Sequence, residues 1–164
     1  MNEEILKYQR ILVINGTLIL LIGFIIGFGF LFFITGEISL FPIPGKIEYQ
    51  VPGTYDAWRM AHMECIVNGL MLWLIAALLP VFLTFVKSIR WLTITPLIIS
   101  WTIIIASAID PLFENARGLI FDENSNLMNA LAFFLFYPGV TLSFVFAIGI
   151  LLAAWKYSKN HQQV

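Results

Sequence analysis

Four stretches of this chain, about 11–35, 60–86, 91–109 and 127–155, are long and apolar enough to cross a bilayer, for which a helix needs roughly 20 mainly apolar residues. In lipid each segment must satisfy its own backbone hydrogen bonds, so all four are expected to be helices. The predicted fold is all-α: one transmembrane domain, 1–164, built as a four-helix bundle in the lipid bilayer. Pro80, Pro96 and Pro138 fall inside or near the ends of these spans, where proline kinks a membrane helix without ending it. Composition agrees, with 60% hydrophobic and 12% charged residues, against about 25% charged in a soluble domain. Mean hydropathy is +0.89. A lone Cys65 excludes an internal disulfide. A net charge of −1 offers no basic footprint for nucleic acid. The first span is followed by no small-residue cleavage site and is read as a retained helix.

Basic residues set the expected orientation. Lys7, Arg10, Lys87, Arg90, Lys156 and Lys159 flank one side, and Lys46, Arg59 and Arg117 the other. The majority side predicts cytoplasmic N- and C-termini and a cytoplasmic turn between spans two and three. The opposite connection, 36–58, holds Pro42, Pro44, Gly45, Pro52 and Gly53. That density of turn-formers predicts an ordered cap across the mouth of the bundle.

Polar groups inside spans are costly and mark function by default. Span two opens on Ala61-His62-Met63-Glu64-Cys65, with Asn68 and Gly69 following. His62, Cys65 and Gly69 share a helical face. His62 has two readings: an interfacial histidine, or a ligand, since imidazole binds metals and is the usual proximal ligand of haem iron. With no second histidine in the spans and no cysteine pair, the residues assemble no closed zinc site. A porphyrin needs only one protein ligand. Glu64 is a candidate general acid or base, or a partner of Arg59 across the helix start. Asn68 is a candidate for orienting substrate, or for an interhelical hydrogen bond. Ser100, Ser107 and Asp110 share a face of span three, either as a polar wall opposite span two or as small contact residues. Gly23 and Gly27 form a GxxxG pair for close packing, within the bundle or between copies. Asn15 is a further candidate for the polar interior.

The stretch from Pro44 through Gly45, Ile47 and Glu48 to Val51-Pro52-Gly53, then Trp58, Ala61-His62 and Asn68-Gly69, resembles styrene oxide isomerases. Arg117-Gly118-Leu119 resembles that family's loop between spans three and four. The resemblance implies a membrane trimer binding haem b, with His62 as axial ligand to iron and Asn68 helping to hold a small apolar aromatic substrate. Ferric iron would act as a Lewis acid that converts an aryl epoxide to an aldehyde. Arg59 and Arg117, on the same side as His62, are candidate partners of the haem propionates. The expected location is the bacterial inner (cytoplasmic) membrane, with substrate entering laterally from lipid. One departure stands out. Those isomerases carry an Asp and a Tyr on span three. This chain has Ser100 and Ala108 there, or Ile99 and Ser107 when aligned through Trp101.

The core Ala61-His62-Met63-Glu64 with Asn68-Gly69 is also similar to hydroxylaminobenzene mutases, which implies conversion of hydroxylaminoarenes to aminophenols. A third reading, from the missing Asp and Tyr, is a haem-binding membrane protein without catalysis.

Overall fold

A computed structural model describes residues 3–113, 122, 123 and 125–161. Four long helices run through it: α1 Glu3–Thr35, α2 Tyr55–Phe82, α3 Ile89–Ile109 and α4 Leu127–His161. All four are long and apolar enough to cross a membrane. The protein is an all-α, four-helix integral membrane protein.

The helices overrun their apolar stretches where polar residues extend or cap them. α1 begins on Glu3 and Glu4, whose carboxylates suit a helix N-terminus. α2 starts at Tyr55, five residues before the apolar run. Thr54 caps it there by accepting a hydrogen bond from Ala57 N at 3.2 Å. It ends at Phe82, two residues after Pro80, rather than at Val86. Ser88 caps α3 in the same way from Trp91 N at 3.2 Å. Pro96 and Pro138 lie inside α3 and α4 without ending them.

α1 packs along α2, α2 along α3, and α3 along α4. The central pair carries most of the buried residues. Beyond Gly139, α4 has no fully buried side chain, so its second half presents Phe144, Leu151 and Trp155 outward. Such surfaces suit lipid, where packing of small residues, not hydrophobicity, holds helices together. The core between α1, α2 and α3 includes Leu12, Ile19, Leu72 and Ile104. Trp101 of α3 reaches α1 by donating its indole N–H to Asn15 Oδ1 at 2.9 Å.

The connection between α1 and α2, where the cap is expected, runs from Gly36 to Thr54. It contains a two-stranded antiparallel hairpin, β1 Glu37–Ile38 and β2 Ile47–Glu48. Gly36 ends α1 with φ +67° while its N–H returns to Phe32 O at 3.0 Å. Lys46 Nζ bridges Glu37 at 2.9 Å and approaches Glu48 at 3.8 Å across the hairpin. At the other end, Trp58 is buried and donates its indole N–H to Pro52 O at 2.9 Å. Gly53 has φ +111°, and a Cβ there would lie 2.6 Å from Pro111 O. Pro111 belongs to a single 3-10 turn, Asp110–Leu112, that follows α3. The cap therefore runs from the end of α1 to the end of α3.

Candidate active site at the head of α2

The head of α2 uses two flanks. The first meets α1, antiparallel to it, through glycines. A Cβ at Gly69 would lie 2.9 Å from Gly16 O, and one at Gly16 would lie 2.8 Å from Gly69 O, so the two backbones touch. A turn or two higher, Gly23 faces Cys65, and Gly27 faces His62. His62, Cys65 and Gly69 thus share one face, as their spacing predicts. The GxxxG pair serves packing inside the bundle.

His62 is half-buried on this flank, and its Nδ1 lies 2.9 Å from Gly23 O. A carbonyl oxygen only accepts, so Nδ1 carries the proton. In neutral imidazole that leaves Nε2 with a free lone pair. Nε2 has no hydrogen-bond partner among the described residues. This is the arrangement typical of metal-ligating histidines, whose other nitrogen is held by a carbonyl or carboxylate. Among the described residues, no three His, Cys, Asp or Glu side chains gather to hold a bare metal ion.

The second flank meets α3. Glu64 accepts a hydrogen bond from Ser107 Oγ. Asp110, at the end of α3, lies close enough to Glu64 for their charges to interact. Asn68 is buried and donates to Glu64 O, one turn earlier on its own helix, at 2.9 Å. The interhelical hydrogen bond considered for it is not made: its Oδ1 accepts from no described residue. Ser100 lies two turns from Ser107 on α3, fully buried, and its hydroxyl has no hydrogen-bond partner among the described residues.

Glu64, Ser107 and Asp110 therefore come together, and His62 stands on the other flank less than a turn away. Ser100 is not part of that group. Nor is Arg59, which is exposed, 3.4 Å from Asp56 and over the Tyr55 ring. The alternative pairing of Arg59 with Glu64 is not formed, because Glu64 turns inward to α3 while Arg59 lies on the outer face of the first turns. Arg117, with Gly118 and Leu119, lies outside the described residues.

Two features escape a reading of the sequence alone. The Glu64–Ser107 bond joins residues far apart in the chain. Its signal is register: both are equidistant from the middle of the 83–88 turn that joins α2 and α3. The Gly23 carbonyl as partner of His62 has no side-chain signature at all. Much of the motif before His62, by contrast, is structural: Pro52, Gly53 and Trp58 fasten the cap.

No curated protein matches this chain. A family model for styrene oxide isomerase matches residues 8–155, which include all of α2 and α3, the cap and most of α1 and α4, and the chain belongs to the styrene oxide isomerase family.

Proposed function

We propose that this protein is a haem-b-dependent membrane isomerase that converts a small aryl epoxide to an aldehyde. Family membership supports the isomerase class. The single observation that carries the haem assignment is the hydrogen bond of His62 Nδ1 to the Gly23 carbonyl, which in the neutral imidazole leaves Nε2 to offer its lone pair. One such ligand suffices for a porphyrin iron. His62 fits that group and would hold it; Arg59, on the outer face of the first turns of α2, and Arg117 are kept as candidates for its propionates. When bound, ferric haem supplies a Lewis acid that polarises the epoxide C–O bond.

The rearrangement is internal to the substrate. One C–O bond breaks at the carbon that best supports positive charge, a hydride migrates to that carbon, and the remaining C–O bond becomes the carbonyl. No proton or electron is exchanged with the protein. The chain's residues then have two tasks. They hold the substrate, with the Asn68 amide as a polar contact and Ser100, buried two turns from Ser107, as a further candidate. They also exclude water, which would trap the electron-poor carbon as a diol. An apolar epoxide concentrates in the bilayer and reaches the bundle laterally. The excess of basic residues on the flanks supports termini on the cytoplasmic side.

A second reading is favoured by one observation, the inward-turned Glu64 with its Ser107 hydrogen bond. Rearranging a hydroxylaminoarene to an aminophenol moves a hydroxyl from nitrogen to a ring carbon. That requires a proton delivered to the departing oxygen and another removed from the ring carbon, work for a carboxyl group. Incubating the haem-loaded protein with styrene oxide, and separately with hydroxylaminobenzene, discriminates. Phenylacetaldehyde from the first supports the proposal. Aminophenol from the second with no aldehyde from the first would replace it with the mutase reading. Haem bound with neither product would leave a non-catalytic haem protein.

A further inference from the structure

We infer that Gly23 and Gly27 of α1 are the positioning residues of His62: Gly23 fixes its tautomer, and Gly27 must be glycine for the imidazole to reach the Gly23 carbonyl. The inference rests on the proposal that His62 ligates haem iron, and it assigns to the GxxxG pair a role beyond packing.

Two independent observations support it. The first is the hydrogen bond of Nδ1 with Gly23 O at 2.9 Å. Within a helix that carbonyl also serves the N–H four residues on, which belongs to Gly27. Its second lone pair is open only if nothing covers it. A helical side chain leans toward the N-terminus and lies over the turn preceding its own Cα, so a side chain at 27 would cover the carbonyl of 23. The second observation is what a side chain at 27 would meet. Its Cβ would lie 2.9 Å from Cε1, 3.0 Å from Nδ1 and 3.7 Å from Nε2 of His62, and these are its three nearest neighbours. The collision is with the ring, not with the α2 backbone. By contrast, a Cβ at Gly23 meets Cys65 Cβ at 2.8 Å, on α2 itself. The space at Gly27 is thus shaped to the imidazole, whereas that at Gly23 sets the separation of the helices.

The consequence is specific. A methyl group at 27 displaces the ring from the carbonyl, frees Nδ1 from its acceptor and moves Nε2. Loss of such an outer partner commonly weakens metal binding by about 10–100-fold.

The test uses the full chain in detergent, with haem b added to the apo protein. Wild type, Gly27→Ala, His62→Ala and the double variant are compared by haem dissociation rate, Soret position and thermal midpoint of the apo form. Gly27→Ala is expected to lose haem about tenfold faster or more, in line with that range, with a shifted Soret band. In the apo proteins, Gly27→Ala should lower the midpoint when His62 is present. It should be neutral or raise it in the His62→Ala background, where the ring is gone and alanine is the better helix former. This cycle needs no activity and reads the seat even if Gly27→Ala folds poorly. An equal shift in both backgrounds, or unchanged haem dissociation in Gly27→Ala, would overturn the inference. A wild type that takes up no haem would instead overturn the proposal beneath it, and the cycle would still report whether Gly27 seats the ring.

Discussion

Along the flank of α2 that meets α1, glycines bring two backbones into contact, and the polar group there is a histidine bonded to a main-chain carbonyl. Along the flank that meets α3, side chains meet side chains: Glu64 with Ser107, Asp110 nearby, and Ser100 buried with no hydrogen-bond partner among the described residues. A membrane bundle divides its work between two kinds of contact. Contacts made through backbone and glycine are dense and leave one geometry, which suits a ligand that must be fixed. Contacts made through hydroxyls and carboxylates cost more to bury and can exchange partners, which suits groups that meet a substrate.

Substitutions on the two flanks should therefore behave differently. The largest effect is expected from Gly69→Leu, since even a Cβ there lies 2.6 Å from Leu20 Cγ and 2.9 Å from Gly16 O. Backbones would be forced apart, at about 3 kcal/mol or more, seen as a large fall in thermal midpoint in detergent. A midpoint equal to wild type would mean that this flank is not tightly packed. Next is Ser107→Ala, which strips Glu64 of its donor and should destabilise by about 1–3 kcal/mol. Adding Glu64→Leu should recover most of that loss, because no buried polar group is then left unpaired. Failure to recover would show that Glu64 is held by something other than Ser107. Trp101→Phe removes the bond to Asn15 and should cost about 0.5–1.5 kcal/mol, measured in the same unfolding experiment. The smallest effect belongs to Ser100→Ala. Its hydroxyl makes no hydrogen bond to any described residue, so stability should stay within about 0.5 kcal/mol of wild type or rise. If Ser100 contacts substrate, KM for styrene oxide rises in this variant although stability does not fall. An unchanged KM with unchanged stability would leave it a packing residue.

How much of this was legible in the sequence also divides along the two flanks. The four spans follow from hydropathy, and the shared face of His62, Cys65 and Gly69 from helical spacing. The GxxxG pair was visible, but spacing alone does not say whether its partner is α2 or another copy. That took the antiparallel register of α1 on α2. The polar stripe of Ser100 and Ser107 on α3 was also visible. That only Ser107 reaches Glu64 was not, because a stripe fixes direction around a helix and leaves its level along the neighbour open. The first turns of α2 were missed because Tyr55, Asp56 and Arg59 are polar or amphipathic. Hydropathy ends where the apolar run ends, while the helix continues to its Thr54 cap.

Ligation of haem iron by His62, held through Nδ1 and offering Nε2, is our proposal. The visible absorption spectrum of the detergent-purified protein, beside that of His62→Ala, tests it most directly. A Soret band is expected in the wild type and should be lost or displaced in His62→Ala. A wild type without a Soret band after haem is supplied, or a His62→Ala protein with the band intact, would contradict it.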